Sequence, residues 1–341
     1  MQRFLFKLIF KLPDAILLKM SGSPQKTTVG GRKLDPASQL MLKGTTDQQV
    51  MKLDKSKSIA ELREWWSSQV EQFKSPPLPG VRSSDRNIDV EGGSIRIREY
   101  VPSGCEENGP AVLYAHGGGF TAFDIDTHHS LAEFLCKNLE AKVYSVEYRL
   151  APEHAFPIPL NDMDAAFQWV LDHAEELKID PSRVSVMGES AGGNLAATLC
   201  LKRREEGKTL PKAQLLVVPG IDLTNSSESV KELSEGYFLT KEHIDWFHSN
   251  YEPDLEKRRN PLVSPIFAES LSRLPPAVVV TAGFDVLRDE GDAYAKKLKE
   301  DGVETHHIHH PSFLHGFMYT DLIDHITKAK LELCATFKKL I

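Results

Sequence analysis

Between residues 110 and 310 the chain alternates short apolar runs with longer amphipathic stretches, and this rhythm limits the folds open to it. The runs are PAVLYAH (110–116), AKVYSVEY (141–148), RVSVMG (183–188), AQLLVVPG (213–220), PAVVVTAG (276–283) and VETHHIHH (303–310). Each has the length of a strand. The stretches between them carry helical spacing, with starts near Leu131, Asp162, Ala191 and Asp289 and a last helix from about Met318 to the end. Alternating strands and helices predict an α/β fold with a mostly parallel central sheet flanked by helices on both faces. Strands covered on both faces should be apolar throughout, and LLVV and AVVV are. Upstream, IDVEGGSIRIREYVP (88–102) reads as two strands turning at Gly92-Gly93.

Two regions break the rhythm. Residues 1–75 read as helical, and IAELREWWSSQVEQF (59–73) sets Ile59, Leu62, Trp66, Val70 and Phe73 on one face before SPPLPG ends it. Residues 223–262 are polar apart from YFLT and IDWFHSNY and read as an insertion between two strands. The first twenty residues, MQRFLFKLIFKLPDAILLKM, are basic and apolar, but lysines interrupt the run and no small-residue cleavage site follows. No segment offers the ~18 apolar residues of a membrane span. Residues 1–20 thus admit two readings: a surface helix in contact with anionic headgroups, or a helix packed over the protein's own pocket.

The chemistry concentrates at VMGESAGG (186–193). Gly188-Glu189-Ser190-Ala191-Gly192 is a G-x-S-x-G placed where a strand ends and a helix begins. Small residues on both sides let such a sharp turn close, and the turn lifts the serine oxygen clear of the sheet. The helix that follows directs its positive end at the site. HGGGF (116–120) also follows a strand, and its backbone N–H groups, with that of Ala191, can form an oxyanion hole. Its flanks lack the residues of a P-loop or a dinucleotide fingerprint. A serine needs a base, and the base needs an orienting group. His315 stands in SFLHGF (312–317), and Asp285 in AGFDVLRDEG (282–291). The order Ser190, Asp285, His315, each after a strand, is the α/β-hydrolase order. Asp222, after VVPGI, is the alternative acid. Asp289 is expected to cap the helix that follows it.

Taken together, HGGGF, YRLAPEHAFP (148–157), GESAGG (188–193), FDVLRDEG (284–291) and HGF (315–317) resemble the hormone-sensitive-lipase-like group of α/β-hydrolases over about residues 78–341. The resemblance implies Ser190 as nucleophile, His315 as general base and acid, and Asp285 as its orienter. It implies Gly118, Gly119 and Ala191 as oxyanion-hole donors and no cofactor. It further implies a catalytic domain from 76–222 and 262–341, with 1–75 and 223–261 as a cap. The substrates it implies are esters of short to medium acyl chains. Candidate pocket walls, each equally able to be cap core, are Phe4, Phe6, Phe10, Trp65, Trp66, Tyr237, Phe238, Trp246 and Phe247. The group usually has proline after the aspartate, where this chain has Val286. The remaining polar residues of YRLAPEHAFP are expected to brace the site.

The other expectations are of partners and place. A net charge of −7 argues against a nucleic-acid surface. Cys105, Cys136, Cys200 and Cys334 are far apart and read as free thiols of a reducing, cytoplasmic compartment, with membrane association through residues 1–20 left open. A small-molecule ester is the expected partner, and a homodimer is compatible with the reading. No metal is expected, because strand alternation would send His306 and His310 to one face and His307 and His309 to the other. Two competing readings stay open. One is a same-fold amidase or deacetylase. The other is a non-catalytic ligand-binding homologue, against which the presence of His315 argues.

Overall fold

The computed structural model describes residues 2–28, 30–47, 51–71 and 74–341. Four helices come first: α1 (Gln2–Ile9), α2 (Asp14–Ser21), α3 (Pro36–Asp47) and α4 (Ile59–Glu71). A hairpin follows, β1 (Val81–Val90) and β2 (Gly93–Pro102). Then come β3 (Gly109–Ala115), α5 (His129–Leu139), β4 (Lys142–Val146), α6 (Ile158–Asp172), α7 (Ala174–Leu177), β5 (Ile179–Glu189), α8 (Ala191–Glu205) and β6 (Gln214–Val217). The predicted insertion holds α9 (Glu228–Glu232) and α10 (Lys241–Tyr251). The chain closes with β7 (Ala277–Phe284), α11 (Arg288–Glu300), β8 (Thr305–Leu314) and α12 (Asp324–Phe337).

The strands form one sheet in the order β1-β2-β4-β3-β5-β6-β7-β8. The β1–β2 and β2–β4 pairings are antiparallel and the other five are parallel. Because side chains alternate along a strand, each run feeds two cores. Ala111, Leu113 and Ala115 of β3 join Leu195, Leu199, Tyr294 and Leu298 on one face. Val112 and Tyr114 join Leu135, Ile326 and Leu333 on the other. This two-sided burial is why the apolar runs are continuous.

A third cluster lies at the ends of β7 and β8. Leu34, Leu42, Leu62 and Trp66 from the N-terminal region pack there with Val230, Ile244 and Phe247 of the inserted segment and with Phe284, Leu287 and Leu314. The two regions outside the sheet pattern therefore meet each other over the strand ends.

Two local expectations need correction. The last helix begins at Asp324, six residues beyond Met318, because His315–Tyr319 forms a separate 3-10 turn whose Phe317 and Met318 are buried. Asp289 does not cap α11. It lies inside the first turn, where its carboxylate accepts from the Ser229 N–H at 2.8 Å and pairs with Arg288 at 2.7 Å.

Candidate active site

Ser190 occupies the single residue between β5 and α8, at φ 57° and ψ −120°. A non-glycine residue held there costs on the order of 1–3 kcal/mol and must be fixed by its surroundings. The fixing contacts are visible. Its N–H donates to Val217 O at 2.9 Å, and its carbonyl accepts from the Gly220 N–H at 3.1 Å. A Cβ on Gly188 would stand 2.2 Å from the Gly192 backbone, and one on Gly192 would stand 2.0 Å from Ala115 O. Only glycine lets the turn close and α8 approach β3 this tightly.

His315 follows β8, and Asp285 follows β7. The Ser190 hydroxyl lies 3.0 Å from His315 Nε2, and His315 Nδ1 lies 2.8 Å from Asp285 Oδ2. Asp285 is 1% exposed and His315 6%, so both work out of bulk water. The second Asp285 oxygen accepts from the Leu287 N–H at 2.9 Å, so the turn closes with Val286 in the usual proline position. Asp222, the alternative acid, spends its carboxylate on its own loop: Thr224 N–H at 2.9 Å, Thr224 Oγ1 at 2.5 Å and Ser226 Oγ at 2.6 Å.

Ser190, His315, Gly118, Gly119 and Ala191 all line one cavity of about 420 Å³. Gly118 has φ 117°, and a Cβ there would meet Ala122 O at 2.1 Å, so the loop requires glycine at this position. His116 is fully buried, stacks on Tyr148 at 4.4 Å and donates through Nδ1 to Gly117 O at 2.7 Å. Burial pushes its pKa down to about 3, and it stays neutral as a structural part of the loop.

Of the expected walls, Phe6, Phe10, Phe238 and Phe247 line the cavity. Trp66 and Trp246 instead pack edge-on to each other at 5.7 Å. Tyr237 packs on Phe284 at 5.4 Å, and Trp65 is exposed. Phe73 and the side chain of Phe4 lie outside the described residues.

YRLAPEHAFP supports the HGGGF loop. The Tyr148 hydroxyl donates to His116 O at 2.7 Å, and the Ala151 N–H donates to Phe120 O at 2.9 Å. Arg149 pairs with buried Asp162 at 2.6 Å. Arg63 of α4 reaches in to Glu153, Thr121 O and Ala151 O, at 2.7, 2.6 and 2.8 Å.

Glu189 is the residue whose work the sequence left open. Its Oε1 accepts from the Gly117 N–H at 2.5 Å and from the Tyr319 hydroxyl at 3.4 Å. His128 Nε2 lies 3.1 Å from the same oxygen, close enough for an ion pair but off the line of a hydrogen bond. The partners come from three distant segments. The only sequence signal was an acidic residue inside the motif.

The histidine-rich strand divides as its alternation requires. His307 and His309 share Thr281 Oγ1, at 3.0 and 2.9 Å, while His310 stacks on Phe313. Among the described residues no group of three or more potential ligands converges on a metal position. The four cysteines are free, and burial raises the thiols of Cys136 and Cys334 to about 12.

A parallel sheet with a strained serine after β5, a histidine after β8 and an aspartate after β7 defines the α/β-hydrolase class. A family profile described as alpha/beta hydrolase fold matches residues 112–319. The chain is 40% identical to the carboxylic ester hydrolase LipN of Mycobacterium tuberculosis over 296 residues, 85% of this chain and 78% of that protein. It is 39% identical to an arylesterase of Saccharolobus solfataricus over 244 residues, 71% of this chain and 79% of that one. A crystallised thermostable esterase from Pseudomonas putida superposes with a TM-score of 0.85 at 32% identity, covering 93% of this chain and 98% of that structure. The chain belongs to the hormone-sensitive-lipase-like esterase family of the α/β-hydrolase fold. It is an enzyme of the serine carboxylesterase class.

Proposed function

We propose that this protein hydrolyses carboxylic esters of short to medium acyl chains through an acyl-enzyme on Ser190. The observation that carries the reading is the continuous line Ser190–His315–Asp285, with its 3.0 and 2.8 Å contacts, opening on an apolar cavity. As Ser190 Oγ attacks the ester carbonyl, its proton passes to His315 Nε2. The N–H groups of Gly118, Gly119 and Ala191 take up the developing oxyanion, and losing one such donor typically costs about 10²–10³ in rate. His315 then protonates the departing alcohol. Water then attacks the acyl carbonyl as His315 takes its proton, and as the acyl–Ser190 bond breaks His315 returns the proton to Ser190 Oγ and the acid leaves. Asp285 holds the imidazole tautomer and stabilises its cationic form. Residues 1–75 and 223–261 act as a cap, and Phe6, Phe10, Phe238 and Phe247 present apolar walls to the acyl chain.

The test is hydrolysis of p-nitrophenyl butyrate by the parent and Ser190→Ala, together with labelling by a fluorophosphonate probe. Activity and label should both disappear in the variant; equal rates would remove Ser190 from the mechanism. A panel varying acyl length and leaving group, with amides included, separates ester from amide hydrolysis and sets the chain-length preference.

A further inference from the structure

Exposed apolar surface is unevenly distributed over the molecule. Among the described residues, nine large apolar side chains are exposed, and five of these, Leu5, Leu8, Leu12, Ile16 and Met20, fall within sixteen consecutive positions. Scattered exposed leucines are ordinary, but a contiguous row of them marks an interaction surface. This row runs along α1 and α2 through the turn at Pro13. Leu5 is 57% exposed, Leu8 49%, Ile16 44% and Leu12 38%.

The same two helices face inward as well. Phe6 and Ile9, with Phe10 just beyond α1, line the cavity that holds Ser190, and Met20, at the end of the row, borders both it and solvent. The two readings of residues 1–20 therefore do not exclude each other. One side is cavity wall, and the other is an apolar row open to water.

Charge indicates what covers the row. Residues 1–20 carry Arg3, Lys7, Lys11 and Lys19 against Asp14 alone, a formal +3 on a chain whose total is −7. Arg3 and Lys7 both pair with Asp321, Lys7 at 4.0 Å, and Lys11 pairs with Asp324 at 3.1 Å with both side chains largely exposed, so these lysines keep their ammonium groups at the surface. Lysines interleaved with leucines on a surface helix suit the boundary between headgroups and acyl chains of an anionic membrane. A second copy of the chain suits it less well. A two-fold contact sets the same patch against itself, bringing the two basic rows together.

We propose that α1 and α2 dock the protein on an anionic lipid bilayer. Leu5, Leu8, Leu12 and Ile16 enter the headgroup boundary, and Lys7, Lys11 and Lys19 lie against headgroup oxygens. The docking surface is independent of the hydrolytic reading, and its test needs no turnover. A consequence specific to this geometry is that the helices touching the membrane are also walls of the cavity, so an ester dissolved in the bilayer reaches the pocket beside them.

The experiment is co-sedimentation of the full chain with vesicles of phosphatidylcholine alone and of phosphatidylcholine with 30% phosphatidylglycerol. The parent should bind the anionic vesicles at least tenfold more tightly than the neutral ones, and 0.5 M salt should abolish most of the difference. The fourfold variant Leu5→Gln, Leu8→Gln, Leu12→Gln, Ile16→Gln should lose binding by at least tenfold while keeping its melting temperature and its rate on soluble p-nitrophenyl butyrate. Lys11→Glu with Lys19→Glu should weaken binding to the anionic vesicles only. Failure of the parent to bind overturns the proposal, as does equal binding by a folded fourfold variant. A parent dimer in sedimentation velocity that the fourfold variant breaks, with no vesicle binding, would assign the row to self-association instead.

Discussion

Glu189 adjoins Ser190, yet its contacts run to the HGGGF loop, whose Gly118 and Gly119 are the proposed oxyanion donors. Its carboxylate takes the Gly117 N–H at 2.5 Å, one residue before Gly118 and two before Gly119. A hydrogen bond to a charged group is worth about 1.5–3 kcal/mol, and an error in loop position of that size appears as about 10–100-fold in rate. Glu189→Gln should therefore lower kcat by about tenfold or more with KM within about twofold, while Glu189→Asp restores part of the loss. A purely structural role would lower melting temperature without separating kcat from KM, so steady-state kinetics on p-nitrophenyl butyrate decide between them. The two candidate acids make a second contrast. Asp285→Asn should cost about 10⁴ in kcat, the size expected when the imidazole is held in the wrong tautomer. Asp222→Asn, whose carboxylate among the described residues is held by Thr224 and Ser226 in its loop, should leave kcat nearly unchanged. Similar losses in both would reopen the assignment of the acid.

At the scale of elements, the central strands were readable because burial on both faces keeps their runs apolar, as at residues 215–217 of β6 and 277–280 of β7, whereas edge strand β8 is half-exposed and carries histidines. The glycines around Ser190 were readable for a related reason: the turn leaves no room for a Cβ at Gly188 or Gly192, so sterics write those positions of the motif directly. The start of the last helix was not readable. Phe317, Met318, Leu322 and Ile323 are buried and mimic helical spacing, but the chain there makes a 3-10 turn and then an extended step before α12. What holds that segment is also beyond local pattern. The Lys330 ammonium, buried on α12, donates to Met318 O at 3.2 Å and Thr320 O at 2.9 Å and lies over the Phe134 ring. Burial draws its pKa down to about 8. Lys330→Met keeps the apolar stem but leaves both carbonyls without this donor, a cost of about 1–3 kcal/mol for each buried group left unpaired. The variant should melt lower and lose activity through the loosened His315 segment. Unchanged melting would mean that the carbonyls find other partners.

Across the whole molecule, the N-terminal helices are joined to the layer carrying His315 through Asp35. Its N–H donates to Ser312 O at 3.0 Å, one oxygen accepts from the Ser38 N–H at 2.7 Å, and the other lies 3.0 Å from His325 Nε2 on α12. Burial pushes the Asp35 carboxyl up, but the bonds from His325 and Ser38 together outweigh it and leave the group below its ordinary value. The bond from Asp35 raises His325 above its ordinary 6.5. The histidine, bound more tightly to its proton when folded, adds stability that is complete below about pH 6.5 and fades as pH rises through its raised value. The aspartate adds stability that is complete above about pH 4 and fades as pH falls through its lowered value. The tie is therefore strongest between about pH 4 and 6.5. Half-exposure of His325 limits it to the ~0.2–1 kcal/mol of surface pairs, about 2 °C or less in a chain of this length. His325→Asn should melt below the parent at pH 5.5 and alongside it at pH 9, because by then the parent has lost the charged pair as well. A gap of equal size at both pH values would show that His325 contributes by packing on Phe313 rather than by its charge, and the junction between the cavity-lining helices and α12 would then owe nothing to pH.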